Sequence, residues 1–228
     1  SRGLGDVYKR QKFKQWLIMS QVFTKLFAFS LIFLLSAQCS EAADKYKPGR
    51  HYEVLSQPVL TRDNSKVEVI EFFWFGCGHC FTLEGSLTDW KKELPSSVDF
   101  YRYPVIWNKM VETHGKLFFI AEALNKPEII DGVFSAIHIQ QKMLASDKEI
   151  IPFIKTYGVS EEQYVGLINS FGLKNNVKKA DLFGQKYGIK GVPTFIVNGK
   201  YAVSGNREIG TKDLLDVVDF LIAKERKQ

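Results

Sequence analysis

Cysteine is scarce in this chain, which has three cysteines in 228 residues. That number is too small for a disulfide-rich scaffold, in which bridges replace much of the hydrophobic core. A concentrated positive charge is also missing from the body of the chain. The formal net charge is +6, but six basic and only two acidic residues fall within residues 1–42. The rest is nearly neutral, so the sequence does not predict a nucleic-acid-binding surface.

An apolar stretch near the start of the chain is too short to cross a membrane as a helix. Residues 26–35 are ten residues without a charge, whereas a spanning helix needs about 20. They fit the apolar region of a secretory signal peptide, with Lys25 in its positive flank. The small residues Ser40 and Ala42 predict cleavage after Ala42, with Ala43 as the alternative.

Other interpretations of this leader stay open. An uncleaved membrane anchor is disfavoured by the length of the apolar stretch. A lipoprotein modified at Cys39 is disfavoured because Gln38 precedes the cysteine. Met19 is a candidate start, in which case residues 1–18 lie upstream of the protein. The signal peptide predicts export to an oxidising compartment, where disulfides persist.

The first part of the body has an α/β pattern. Residues 67–73 are β-branched and aromatic, which predicts a buried strand. Gly76 breaks that strand, and a helix is expected from about residue 77 to 94, ended by Pro95. Residues 98–103 predict a second short strand.

Helical patterns follow in residues 107–173. Capping boxes that begin at Ser146 and Ser160 predict two helix starts. Pro127 and Pro152 are expected early in their helices, where proline is tolerated.

The last part of the chain returns to an α/β pattern. A helix is expected over residues 176–186, and Asn198-Gly199 between two apolar runs predicts a β-hairpin. Thr211 is expected to cap a final amphipathic helix. From Cys80 to Pro193 there are 113 residues, whereas a simple βαβ crossover takes about 30. The predicted segments are a leader (1–42), a first α/β part (43–106), a helical insertion (107–173) and a second α/β part (174–228).

Two cysteines carry the chemistry of the chain. Cys77 and Cys80 stand at the expected start of a helix that follows a buried strand. The free N–H groups and the dipole of a helix N-terminus stabilise a thiolate, and His79 adds to this effect. Cys77 is therefore predicted to be an exposed nucleophile, and Cys80, one turn later, a buried resolving partner. Stabilising the reduced form makes the disulfide a stronger oxidant.

Other uses of a Cys-x-x-Cys motif fit this sequence less well. A structural zinc site needs four ligands, and the sequence has no second Cys-x-x-Cys or Cys-x-x-His motif. Haem attachment needs a histidine after the second cysteine, where this chain has Phe81. An inert structural disulfide does not require a strand–turn–helix setting.

The segments FFWFGCGHC (residues 72–80) and GVPT (residues 191–194) resemble the thioredoxin superfamily. The helical insertion, the leader and the hairpin make the chain similar to the DsbA-like family within it. The resemblance implies an α/β thioredoxin fold with an inserted all-helical subdomain, and a periplasmic protein disulfide oxidase. One departure concerns the inner dipeptide, which is Gly78-His79 here. The family usually has Pro-His, and Gly-His is typical of protein disulfide isomerase, so the balance between oxidase and isomerase stays open.

The same resemblance implies a cis Val192–Pro193 bond. Such a bond would place Pro193 against the cysteine pair and leave the backbone of Val192 free to pair with a substrate peptide. A plain turn proline before a strand is the alternative.

Glu71 interrupts an otherwise apolar strand and matches the family's buried acid beneath the active site. A buried carboxyl has a raised pKa and can accept a proton from Cys80 as a mixed disulfide resolves. The alternative is a solvent-facing glutamate, which is the expectation for Glu68. Trp74 and Phe75 are expected either in the core or in an exposed patch that binds unfolded chains. Three histidines, His51, His114 and His138, are expected at the surface or with satisfied hydrogen bonds.

The predicted function is thiol:disulfide exchange in which the protein donates its Cys77–Cys80 disulfide to reduced, newly exported proteins through a mixed disulfide. No cofactor or metal is needed, because the two sulfurs carry both electrons. By resemblance, a membrane quinone-linked oxidase of the DsbB type reoxidises the pair. A monomer is the default expectation for the oligomeric state, and the nearly neutral body of the chain predicts no nucleic-acid partner. Two alternatives remain, a reductase or isomerase of the same superfamily and a non-catalytic chaperone with this fold.

Overall fold

A central five-stranded sheet organises the part of the chain that the computed structural model describes, residues 45–226. The predicted leader and its cleavage site lie outside that range. The strands are β1 (Glu53–Val54), β2 (Val67–Phe73), β3 (Val98–Pro104), β4 (Thr194–Val197) and β5 (Tyr201–Ser204). Their order in the sheet is β1-β5-β4-β2-β3. Strand β2 is parallel to β3 and antiparallel to β4, and every one of its residues is buried.

Seven α-helices surround this sheet within the described range. They are α1 (Gly78–Glu93), α2 (Lys109–Leu124), α3 (Glu128–His138), α4 (Asp147–Lys155), α5 (Glu161–Asn169), α6 (Phe171–Lys186) and α7 (Leu214–Glu225). No helix among these residues is long and apolar enough to cross a membrane.

Helices cover both faces of the sheet, which explains why five of the seven residues of β2 are apolar. On one face, Val69 packs with Leu87 of α1 and Val218 of α7. On the other face, Phe72 and Ile70 pack into a larger core formed with the helices between β3 and β4. Successive side chains of a strand alternate between faces, so Glu71 points to the same side as Val69. This side is the one that α1 covers.

The hairpin prediction is confirmed. Asn198 and Gly199 connect β4 to β5, and both have positive φ angles, of 51° and 61°. The capping box at Ser160 is also confirmed, because the side chains and backbones of Ser160 and Gln163 bond reciprocally.

Four local predictions were wrong. The capping box predicted at Ser146 does not form, although α4 starts directly after this residue, because the Glu149 carboxylate accepts the N–H of Ala145 instead. The helix expected from residue 176 begins at Phe171, because the Ser170 hydroxyl accepts a hydrogen bond from the Leu173 N–H and starts α6 directly after α5. It therefore runs across the segment boundary predicted at residue 173. Pro152 lies at the sixth position of α4 rather than in its first turn. Thr211 begins a 3-10 turn (Thr211–Asp213), and the final helix starts only at Leu214.

Candidate active site

Cys77 is the N-cap residue of α1. Its backbone is extended, with φ −85° and ψ 117°, and its N–H donates to the carbonyl of Trp74 at 3.0 Å. In this position the Cys77 sulfur accepts a hydrogen bond from the N–H of Cys80 at 3.4 Å. The sulfur thus occupies the place in which an oxygen usually satisfies the free N–H groups of a helix start.

The environments of the two thiols are opposite. Cys77 is half-buried, whereas Cys80 is completely buried, and both are free thiols. A hydrogen bond from the Cys80 side chain lowers the pKa of Cys77 to about 6, although partial burial opposes the shift. The N–H groups of Cys80 and His79, and the charge of His79, add smaller effects. The same thiol–thiol bond, together with burial and Glu71, raises the pKa of Cys80 far above its ordinary value.

The Val192–Pro193 peptide is cis, as expected. It places the carbonyl of Val192 3.3 Å from the sulfur of Cys77, across 115 residues of sequence. Val192 and Pro193 also line a cleft of about 550 Å³, together with His79 and Thr211. The cleft therefore opens beside the more accessible sulfur.

Sequence reasoning missed Thr211 as a member of this site. Its hydroxyl lies 3.1 Å from Nδ1 of His79. No local pattern could reveal this contact, because the two residues are 132 positions apart.

Glu71 is fully buried and shares a guanidinium with a second acid. Its Oε2 lies 2.6 Å from Nε of Arg102, although the N–H is not aligned on the oxygen as a hydrogen bond. The other end of Arg102 contacts Glu84 of α1 at 2.5 Å. Burial raises the pKa of Glu71 to about 7, and the charge of Arg102 opposes this rise. The carboxyl is close enough to raise the pKa of Cys80.

Sequence reasoning did not identify Arg102 and Glu84 as residues of the site. One signal was available, since Glu71 and Arg102 interrupt neighbouring strands with opposite charges. The register of β2 on β3 places these two residues opposite each other. Reading that signal requires the strand pairing, which sequence periodicity does not supply.

The structure decides between the two alternatives for Phe75 and corrects one expectation, that for Glu68. Phe75 is only 1% exposed and packs edge-on against Phe134 of the insertion, so it belongs to the core and not to an exposed patch. Glu68 is buried rather than solvent-facing, and its carboxylate accepts a hydrogen bond from the N–H of Arg62. Because both faces of β2 are covered, no residue of this strand reaches solvent.

Trp74 and the histidines have defined partners. Trp74 is half-buried and donates its indole N–H to His114 at 3.1 Å. His138 contacts the carbonyl of Phe75 at 2.7 Å. His51 accepts a hydrogen bond from the N–H of Lys47 at the surface. The described residues contain no cluster of three or more histidine, cysteine or acidic side chains that could hold a metal ion.

Comparison with known proteins agrees with this geometry. The model of the DSBA-like thioredoxin domain matches residues 113–213. The chain is 35% identical over 206 residues to the thiol:disulfide interchange protein DsbA of Pseudomonas aeruginosa, covering 90% of this chain and 96% of that protein. A protein of the same name from Azotobacter vinelandii is also 35% identical, with 89% and 93% covered.

Solved structures give the same result. The crystal structure of Pseudomonas aeruginosa DsbA superposes with a TM-score of 0.76 at 36% identity, covering 81% of this chain and 97% of that one. The fold, the placement of the cysteine pair and the similarity to these relatives all indicate the same family. The chain belongs to the DsbA family of the thioredoxin superfamily, and it is a thiol:disulfide oxidoreductase with the disulfide oxidase activity of that family.

Proposed function

We propose that Cys77 exchanges with substrate thiols and that Cys80 is the resolving sulfur. The observation that carries this assignment is the position of the Cys77 sulfur at the N-cap of α1, where it accepts the N–H of Cys80. A thiolate held in this position is stabilised and is therefore a good leaving group. A disulfide bond that includes the Cys77 sulfur is thus readily transferred to a substrate. The burial of Cys80 keeps the second sulfur from external thiols.

The proposed reaction has two exchanges. A substrate thiolate attacks Cys77 in the Cys77–Cys80 disulfide, which forms a mixed disulfide and releases Cys80 as a thiolate that takes up a proton. A second substrate thiolate then attacks the substrate sulfur and displaces Cys77 as a thiolate. The substrate loses two electrons and gains a disulfide, and the protein gains both electrons as a dithiol.

Glu71 is proposed to handle the proton of Cys80. The high pKa of Cys80 means that it needs a proton when it leaves and must lose one when the disulfide is restored. Glu71 has a pKa of about 7 in the same buried region, so it exchanges a proton near neutral pH.

The cleft beside Val192 and Pro193 is proposed as the substrate-binding surface, with the backbone of Val192 pairing with an extended peptide. The closeness of the Val192 carbonyl to Cys77 supports this placement. The half-buried indole of Trp74 is a further proposed contact. Phe75, which is buried, contributes through its packing in the core only.

We further propose that the protein acts in the periplasm on reduced, newly exported proteins, as a monomer that a DsbB-type quinone-linked oxidase reoxidises. The uncharged apolar stretch at residues 26–35 and the small residues before Ala42 support an exported precursor with cleavage after Ala42. The DsbA relatives support redox exchange with protein substrates.

An ultraviolet titration of the reduced protein tests the assignment of Cys77. Thiolate absorbance at 240 nm should rise with a midpoint near pH 6, because the pKa of Cys77 is lowered to about 6. Cys77→Ser should lack this step. A midpoint near the unperturbed value of about 8.5 would contradict the proposal. An equilibrium with glutathione then gives the potential, and a value near that of thioredoxin would favour the reductase alternative.

The same pKa determines how the stability of the reduced form depends on pH. The folded protein loses the Cys77 proton at a lower pH than the unfolded chain does. The thiolate therefore contributes stability that is complete above the ordinary cysteine pKa and is lost as pH falls through about 6. Urea unfolding of the reduced protein should show stability rising over this range, and the oxidised protein, which has no such thiol, should lack the rise.

Replacing Glu71 with glutamine should slow the step in which Cys80 attacks a mixed disulfide. General acid–base catalysis typically contributes about 10²-fold or more, and we expect a loss of ten- to a hundredfold at pH 7. The rate is measured by stopped-flow after Cys77 has been loaded with glutathione. Glu68→Gln is the matched control, because Glu68 is buried on the opposite face of β2. Equal rates for both variants would remove Glu71 from the mechanism.

A further inference from the structure

Two histidines of the helical insertion contact consecutive residues of the loop before Cys77. His114, on α2, accepts the indole N–H of Trp74 at Nδ1, at a distance of 3.1 Å. His138, the last residue of α3, lies with Nε2 2.7 Å from the carbonyl of Phe75. The loop that leads from β2 to the nucleophile is thus attached to two helices that come much later in the sequence.

The hydrogen bonds fix the protonation of His114. An indole N–H only donates, so Nδ1 of His114 must be the unprotonated nitrogen. The proton is then on Nε2, which donates to the carbonyl of Met143 at 2.8 Å. His114 is 1% exposed, and burial lowers its pKa, which keeps the ring neutral. Its two bonds join the loop before Cys77 to the segment that follows α3.

His138 contacts both sides of the cysteine motif. A carbonyl only accepts, so Nε2 carries the proton that is donated to Phe75. The ring also stacks on Phe81, with centroids 4.7 Å apart and planes 6° from parallel. Phe81 directly follows Cys80, and its N–H bonds to the Cys77 carbonyl at 3.0 Å.

The loop that these histidines hold sets the position of Cys77. The Trp74 carbonyl accepts the N–H of Cys77, and the Trp74 indole lies directly over Gly76, where it leaves no room for a Cβ. Movement of Trp74 or Phe75 is therefore transmitted through Gly76 to the N-cap. A small rotation there would misalign the Cys80 N–H with the Cys77 sulfur, which are 3.4 Å apart.

We propose that His114 and His138 are positioning residues for thiol:disulfide exchange, which hold Trp74 and Phe75 so that the Cys77 sulfur stays aligned with the N-terminus of α1. The inference rests on the proposed role of Cys77 as the exchanging sulfur. The helical insertion then helps to stabilise the Cys77 thiolate, in addition to contributing to the hydrophobic core.

Variants at His138 test this directly. His138→Phe keeps a ring for stacking on Phe81 but removes the donor to Phe75, and His138→Gln places an amide donor near the position of Nε2. We expect His138→Phe to raise the midpoint of the 240 nm titration and to shift the equilibrium with glutathione about three- to tenfold toward the disulfide form. His138→Gln should stay within about twofold of the unchanged protein.

Variants at His114 give an independent comparison. His114→Asn places an amide oxygen near Nδ1 and retains an acceptor for Trp74, whereas His114→Phe retains none. His114→Phe should shift the equilibrium with glutathione toward the disulfide form, as His138→Phe does. The shift caused by His114→Asn should be less than half as large. His51→Gln, at a surface histidine bonded to Lys47, is the control and should leave both measurements unchanged.

The proposal is overturned if His138→Phe folds and titrates like the unchanged protein, or if His138→Gln shifts as far as His138→Phe. Loss of thermal stability without a shift also overturns it, because a purely structural role has that outcome. Should His138→Phe not fold, His138→Gln is compared with the shorter His138→Asn, and equal titrations overturn the proposal. Failure of the proposed function is distinguishable, since the unchanged protein would then lack the step near pH 6.

Discussion

Replacing Cys77 with serine should abolish disulfide transfer. The substitution removes the only half-buried thiol among the described residues and leaves Cys80, which is completely buried and has a strongly raised pKa. A thiol that is both inaccessible and protonated is a poor nucleophile, because the thiolate is the reacting form. We expect the rate of oxidative folding of a reduced, unfolded test protein to fall by at least about a thousandfold, to the rate without enzyme.

Cys80→Ser is the companion variant, and it separates the two roles. The Cys77 thiolate should still attack a disulfide of another protein, but no internal thiol would then resolve the mixed disulfide. Mixed disulfides with protein substrates should therefore accumulate and be visible on non-reducing gels. Unchanged activity of Cys77→Ser in the cell would support the chaperone alternative. Mixed disulfides trapped through Cys80 in Cys77→Ser, and none through Cys77 in Cys80→Ser, would reverse the assignment of the two sulfurs.

Replacing Arg102 with methionine should have the largest effect on stability. The Arg102 side chain is 7% exposed, and it is the positive charge that contacts both Glu71 and Glu84. Without it, the buried Glu71 and the partly buried Glu84 would lie close together with no opposite charge in contact. Breaking a buried ion pair from one side typically costs 3–5 kcal/mol, and we expect a loss of about that size at pH 7. Urea unfolding of the oxidised protein measures it.

The control for this variant is Arg62→Met. Arg62 pairs with Asp99, but its side chain is 53% exposed, and such pairs contribute about 1 kcal/mol or less. The cost of Arg102→Met should also shrink at low pH, because protonation of Glu71 removes its repulsion with Glu84. Equal costs at Arg102 and Arg62, or a cost that does not change with pH, would show that the Glu71–Arg102–Glu84 cluster is not held by charge.

Most expectations that rest on neighbouring residues agreed with the structure, although the capping box at Ser146, the start of α6, the position of Pro152 and the cap of the final helix did not. The strand before the motif, the helix that begins after Cys77 and the Asn198-Gly199 hairpin depend on periodicity, helix-start chemistry and positive φ, all of which act over a few residues. The expectations that required knowledge of the surroundings were less successful. Glu68 and Glu71 stand on the same strand, and their sequence context does not reveal that both are buried.

The sequence by itself determined the chemistry of this protein, because two cysteines two residues apart at a strand–helix junction place one sulfur on the free N–H groups of a helix. Tertiary structure decided what surrounds those sulfurs. Arg102 reaches Glu71 only through the register of β2 on β3. His114 and His138 meet Trp74 and Phe75 across 40 and 63 residues. The physical reason is that such contacts depend on how the insertion packs against the sheet, and packing is a property of the whole core rather than of any local segment.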